Sequence, residues 1–145
     1  MKITVNAPAK INLSLDILVK RNDGYHLVKM LMQSVSLSDT VTVWDTGEED
    51  ISLSCNMDGL PDGEENIAFQ AARAFFTHTK LKNPGIAIII KKRIPLAAGL
   101  AGGSADAAAV LVALNQMMDA GLSKEDLCDI GEEIGADVPF SIMGG

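Results

Sequence analysis

The sequence has 145 residues, the size of one ordinary domain, and a core of that size needs no disulfide or metal staple. Apolar residues make up 48% and charged residues 21%, a globular balance, and with four Phe, one Trp and one Tyr the core falls to Ile, Val, Leu, Ala and Met. A formal net charge of −7 argues against a general nucleic-acid or anionic-membrane binder.

In chain order, Ile3 and Val5 alternate with polar neighbours before Pro8. Ile11, Leu13, Leu15 and Ile17 then alternate with Asn12, Ser14 and Asp16, the period-two signature of a half-buried strand. Arg21-Asn22-Asp23-Gly24 is turn chemistry and predicts a hairpin, with Leu27 to Val35 as the returning strand. Val41 to Trp44 and Ile51 to Leu53 read as two further short strands around the acidic turn Gly47 to Asp50. From Asn66 the pattern becomes helical, with Ile67, Ala71, Ala74 and Phe75 on one face and Asn83-Pro84-Gly85 as the stop. Ile86 to Ile90 is short enough to be a buried strand, and far too short to span a bilayer. Ala105 to Met118 predicts an alanine-rich helix with Ala108, Leu111, Val112 and Asn115 on one side. Ser123 to Asp126 opens another helix with a capping-box pattern, Leu127, Ile130 and Ile134 form its stripe, and Gly135 ends it. Val138 to Met143 reads as one more extended segment. The expected fold is therefore an α/β unit of the α+β type, a sheet with helices packed on one face. The opening residues alternate and predict no leader. Cys55 and Cys128 stand alone without CxxC spacing, as buried thiols of a reducing cytoplasm do.

Charge is unevenly placed. From Asn66 to Ala105 there is no acidic residue, while Arg73, Lys80, Lys82, Lys91, Lys92 and Arg93 are all basic. Such a stretch in an acidic protein suits a small anionic ligand, and equally a solvated lysine-rich edge. Its downstream end carries the strongest motif, Pro95-Leu96-Ala97-Ala98-Gly99-Leu100-Ala101-Gly102-Gly103-Ser104, between a strand and a helix. Glycines allow close backbone approach, and a helix start offers unpaired N–H groups and partial positive charge, which together make a phosphate cradle. No Lys-Ser/Thr pair follows the glycines, so this is not a Walker A loop; a flexible strand–helix connection fits the same residues. Lys10 and Asn12 lie two apart on a strand and share a face opposite Ile11, suited to a polar substrate or to solvent. Tyr25-His26 can stack on and hydrogen-bond a base, or simply sit in a surface turn. Asp137 sits among small residues in Gly135-Ala136-Asp137-Val138-Pro139-Phe140, where a carboxylate could accept a hydroxyl proton.

Together, Pro8 to Leu13, Asp23-Gly24-Tyr25-His26, Gly99 to Ala108 and Gly135 to Phe140 resemble the GHMP kinase superfamily in order and spacing. The likeness is to members that phosphorylate the 2-hydroxyl of 4-diphosphocytidyl-2-C-methyl-D-erythritol in non-mevalonate isoprenoid biosynthesis. The Gly-Glu-His sequence usual near the first motif of mevalonate and galactokinase-type members is absent. The resemblance implies a fold like the superfamily's N-terminal domain, a two-layer unit related to a ribosomal-protein fold. It also implies an ATP-dependent small-molecule kinase in a bacterial cytoplasm. Asp137 becomes the catalytic base and Lys10 its partner; Asn12, Tyr25 and His26 become substrate contacts, His26 reading the cytosine edge. Asn66, Pro95 and Gly99 to Ser104 become the ATP site. Mg²⁺ would arrive with ATP, held mostly by phosphate and water oxygens, with no dedicated protein ligands. Complete members are longer, so residues 1–145 correspond to the N-terminal, catalytic-residue-bearing domain, without the C-terminal one. Two other readings stay open: a non-catalytic RNA-binding domain of the related fold, and a superfamily kinase of different substrate.

Overall fold

The computed structural model describes residues 1–20, 26–96 and 100–144, with side chains for 1–12, 32–96 and 100–144. Among the described residues, four strands and four helices follow one another in the order β1 (Lys2–Lys20), β2 (His26–Asp45), β3 (Ile51–Cys55), α1 (Ile67–Thr79), β4 (Ile86–Lys91), α2 (Gly102–Met117), α3 (Lys124–Ile134) and α4 (Val138–Met143). The sheet order is β1-β2-β4-β3, with β3 parallel to β4 and the other pairs antiparallel. The helices cover one face, as expected.

The separate short strands predicted on either side of Pro8, and on either side of residue 36, are instead two long strands. Together β1 and β2 make one extended hairpin whose pairing runs from Lys2 with Trp44 to Lys20 with His26. Pro8 does not break it because β1 is an edge strand, where a missing N–H costs no ladder bond. The register shifts between Pro8 and Lys10, and the consecutive residues Ala9 and Lys10 are both buried there. A regular strand would turn one of them outward. The hairpin turn itself, with Tyr25, lies outside the described residues.

The inward rows are Ile3 and Ala7 of β1, Val41 and Val43 of β2, Leu53 of β3, and Ile86, Ile88 and Ile90 of β4. On them sits α2, which is buried almost all round from Ala105 to Leu114 rather than along the single side predicted. Alanine at so many positions lets a helix lie close to the sheet while α1 and α4 press on its other sides. The start of α1 is capped by Asn66, whose side chain accepts from the Ala68 N–H, and the predicted capping box of α3 forms between Ser123 and Asp126. Gly85 at φ +88° closes the turn into β4, and a Cβ there would collide with Thr46 Oγ1.

Two further expectations are corrected. Residues 138–143 are a helix, not a strand. Pro139 stands in its first turn, where a fixed φ is pre-set for helix, and Val138 and Ile142, four apart, are buried. Gly131 makes this possible, since a Cβ there would lie 2.7 Å from Val138 Cγ1. The cysteines are only partly buried and unpaired, and Cys128 Sγ lies 3.6 Å from the Pro139 carbonyl.

Candidate active site

The chain leaves β4 at Lys91, runs through Ile94 and Pro95, and re-emerges as α2. Ala97, Ala98 and Gly99 fall outside the described residues; Leu100 to Ser104 are within them. The left-handed residue here is not a glycine but Ala101, at φ 55° and ψ 39° as the N-cap of α2. Gly102 and Gly103 are the first helical residues. What Gly102 requires is space, because a Cβ there would stand 3.0 Å from both Ile94 Cγ2 and Lys92 Nζ.

The N-terminus of α2 is bare. It has no side-chain cap and no acid in its first turn, whereas α1 and α3 are both capped. The N–H groups of Gly102, Gly103 and Ser104 precede the first intrahelical bond, made by Ala105 N–H to the Ala101 carbonyl at 2.9 Å, and among the described residues no side chain caps them, which suits an anion.

Other predicted residues gather at this end of α2. The Lys10 N–H donates to the Leu100 carbonyl at 3.0 Å, tying the glycine loop to β1 at the residue singled out as catalytic. The Lys10 side chain is buried and its Nζ donates to Asn12 Oδ1 at 3.2 Å; Ile11, on the opposite face, is exposed. On the other flank, the turn from α3 to α4 approaches the same helix end, since a Cβ on Gly135 would be 3.7 Å from Ser104 Oγ. Asp137 stands in that turn as the N-cap of α4 but caps nothing with its side chain, and its half-buried carboxylate has no partner among the described residues. Lys10 and Asp137 thus flank one end of α2 without forming an ion pair.

The remaining predicted residues fare differently. Asn66 uses both ends of its amide locally, accepting from Ala68 N–H at 2.9 Å and donating to the Pro61 carbonyl at 3.0 Å. His26 begins β2, and its side chain, like all of Tyr25, is outside the described residues. Lys92, counted above with the cationic stretch, is not available to solvent. It is buried with Asp39 and Asp106, at 2.5 Å from Asp39 Oδ2 and 3.0 Å from Asp106 Oδ2. Burial alone would lower the Lys92 ammonium, but Asp39 and Asp106 outweigh it and raise it. Burial also drives Asp106 upward, helped by its hydrogen bond with Asp39 and resisted by Lys92, to about 8. Asp39 is held low: burial works against this, but hydrogen bonds from Asp106, Ile94, Lys92 and Arg93 prevail. The sequence reading missed Asp39 and Asp106. Among the described residues there is no cluster of three or more metal-ligating acids, histidines or cysteines, and no helix is long and apolar enough to cross a membrane.

The family model for the GHMP kinases N terminal domain matches residues 66–145. The chain belongs to the GHMP kinase family. It is 48% identical over all 145 residues to proteins from Bacillus cytotoxicus and Bacillus cereus named 4-diphosphocytidyl-2-C-methyl-D-erythritol kinase. The match covers 50% of each, so the chain spans about half the length of these curated relatives. A crystal structure of 4-(cytidine 5'-diphospho)-2C-methyl-D-erythritol kinase superposes with a TM-score of 0.83 at 35% identity, over 97% of this chain and 49% of that one. The mevalonate kinase of Methanococcus jannaschii shares the fold at a TM-score of 0.78 and 13% identity, over 100% of this chain and 52% of that one. This GHMP kinase fold is the one the sequence motifs implied.

Proposed function

We propose that the chain supplies the ATP-binding and catalytic portion of a kinase that phosphorylates the 2-hydroxyl of 4-diphosphocytidyl-2-C-methyl-D-erythritol, as its Bacillus relatives are named for, in a bacterial cytoplasm. The observation that carries this reading is the uncapped first turn of α2, tied through Leu100 to Lys10 on one side and flanked by an unpartnered Asp137 on the other. Phosphoryl transfer asks chiefly for positioning and charge neutralisation, which a helix start, a glycine loop, one cation and one base can provide.

In this reading the N–H groups of Gly102 to Ser104 receive the ATP phosphates, with Pro95, Gly99, Leu100 and Ala101 shaping the loop and Asn66 near the adenine. Asp137 accepts the proton of the 2-hydroxyl as its oxygen bonds to the γ-phosphorus and the bond to the β–γ bridging oxygen breaks, releasing ADP. Lys10 offsets charge at the hydroxyl. Asn12, Tyr25 and His26 hold the cytidylyl substrate. The free N–H groups fit a nucleotide phosphate, and Mg²⁺ would be bound through phosphate and water oxygens and supply further neutralisation.

The test is ADP release with 4-diphosphocytidyl-2-C-methyl-D-erythritol, using this chain alone and joined to the second half of the Bacillus cereus relative. Turnover with that substrate, and none with mevalonate or galactose, is expected. Turnover of either alternative in its place overturns the substrate assignment, and salt-dependent RNA binding at micromolar protein without turnover would favour the RNA-binding alternative.

A further inference from the structure

The most heavily buried charged groups in the described structure, Asp39, Lys92 and Asp106, take no part in the chemistry above, yet they lie directly beneath the first turn of α2. Each makes a different attachment. Asp39, on β2, accepts through Oδ1 from the N–H groups of Arg93 at 2.7 Å and Ile94 at 2.9 Å, fixing the backbone as it enters the loop. Asp106, on α2, lies one turn beyond Gly102 and receives Lys92 Nζ through Oδ2. Lys92 joins the two, and its Nζ sits 3.0 Å from where a Gly102 Cβ would be, under the first turn of the helix. Its own N–H is held by Asn56 Oδ1 at 2.7 Å. The loop is therefore anchored where it enters, by Asp39, and where it leaves, by Asp106, with one ammonium spanning both.

A buried polar cluster of this kind is a costly way to gain stability, because removing its charges from water consumes most of what their attraction returns. Its geometry offers something a hydrophobic filler does not: directional bonds that set the height and angle of a helix N-terminus. We propose that Asp39, Lys92 and Asp106 form a buried positioning cluster for nucleotide binding, which fixes the first turn of α2 so that its free N–H groups meet the phosphates. The assignment rests on the kinase reading for the identity of the anion.

The cluster's charge matters as well as its shape. Asp106 Oδ1 is buried without a partner, an arrangement that disfavours the ionised form. With Asp106 neutral, Lys92 and Asp39 cancel and an incoming phosphate meets no net charge from below. With Asp106 ionised, a negative charge stands under the anion site. The other charged groups around the start of α2 are the buried Lys10 from β1 and the half-buried Asp137 at the head of α4; the buried residues of α1 are Ala68, Ala71, Ala72 and Phe75.

The test measures ATP binding to this chain by calorimetry, together with hydrogen exchange across residues 93–104. Asp106→Leu and Lys92→Met are expected to weaken ATP about tenfold or more and to speed exchange in that segment while leaving α3 as it was. Asp106→Asn, which keeps the shape and can still accept from Lys92 but cannot ionise, should rescue both. Because Asn cannot titrate, its ATP affinity should hold between pH 7 and 9 while that of the unaltered chain falls severalfold. Parallel pH profiles, or a Lys92→Met variant with unchanged exchange and affinity, overturn the proposal. If Lys92→Met does not fold, the Asp106→Asn pH profile decides. If neither the unaltered chain nor the chain joined to the relative's second half binds ATP but exchange responds as described, the kinase reading fails and the positioning role stands.

Discussion

Replacing Asp106 with Asn should change how stability depends on pH, and the sign follows from the structure. The folded carboxyl titrates near 8 where an ordinary aspartate titrates at 3.8, chiefly because it is buried and secondly because it shares a hydrogen bond with Asp39. Between those values the folded chain carries a proton that the unfolded chain has released. Stability from this group is therefore fully present below pH 3.8 and is lost as pH rises toward 8. The slope is about 1.4 kcal/mol per pH unit, so the wild type should lose on the order of 2–4 kcal/mol between pH 5 and pH 8. The neighbours do not mask this. Asp39 is held below its ordinary value, so its contribution disappears only in acid. Lys92 and Cys128 are both raised, Cys128 by burial first and the Glu125 and Asp129 charges after it, so theirs are lost only in stronger alkali. Urea unfolding at pH 5, 6, 7 and 8 is the assay. The midpoint of the wild type should fall by about 1–2 M relative to Asp106→Asn across that range. Parallel curves for the two proteins would show that Asp106 is ionised when folded, and the reasoning about the cluster's charge would fail.

Gly102→Val should weaken ATP binding and cost about 1–3 kcal/mol of stability, because the new side chain must enter the space held by Ile94 and Lys92; unchanged ATP affinity by calorimetry would show that the first turn of α2 is not the phosphate site. Asp137→Asn, in the chain joined to a relative's second half, should lower kcat at least a hundredfold with little change in substrate KM, since the carboxylate caps nothing with its side chain; a matching loss in thermal stability would point to a structural role instead. Asn66→Ala should cost about 1 kcal/mol in a thermal melt through loss of the α1 cap, and a rise in KM for ATP beyond that expected from the stability change would support its place near the adenine.

The parts of the fold legible in the sequence were those written in local chemistry. The Ser123–Asp126 capping box and the aliphatic run of β4 each depend on residues a few positions apart, whereas α1 closes on left-handed Lys80, ahead of the stop expected at Asn83-Pro84-Gly85. The run from 138 to 143 was not legible, since a short, mostly apolar run serves a strand or a buried helix equally. The choice is made by Gly131, whose missing Cβ admits Val138 against α3. The site divides in the same way. The glycine loop and Lys10 could be read from their motifs, although the strained residue is Ala101 and Gly102 serves as a spacer. Lys92 could have been suspected from parity alone: Ile86, Ile88 and Ile90 point inward, and the next residue in that row is Lys92. On β2, Val43 and Val41 lead by the same step to Asp39. What the sequence does not contain is the register that pairs Thr40 with Lys91 and so brings Asp39 opposite Lys92, nor the packing that lays Asp106 on top. A count of cations upstream of the loop therefore overstates the positive charge a phosphate would meet. Lys91 and Arg93 remain exposed, but the lysine between them is matched from within, and the attraction for an anion falls mainly to the N–H groups that the matched lysine holds in place.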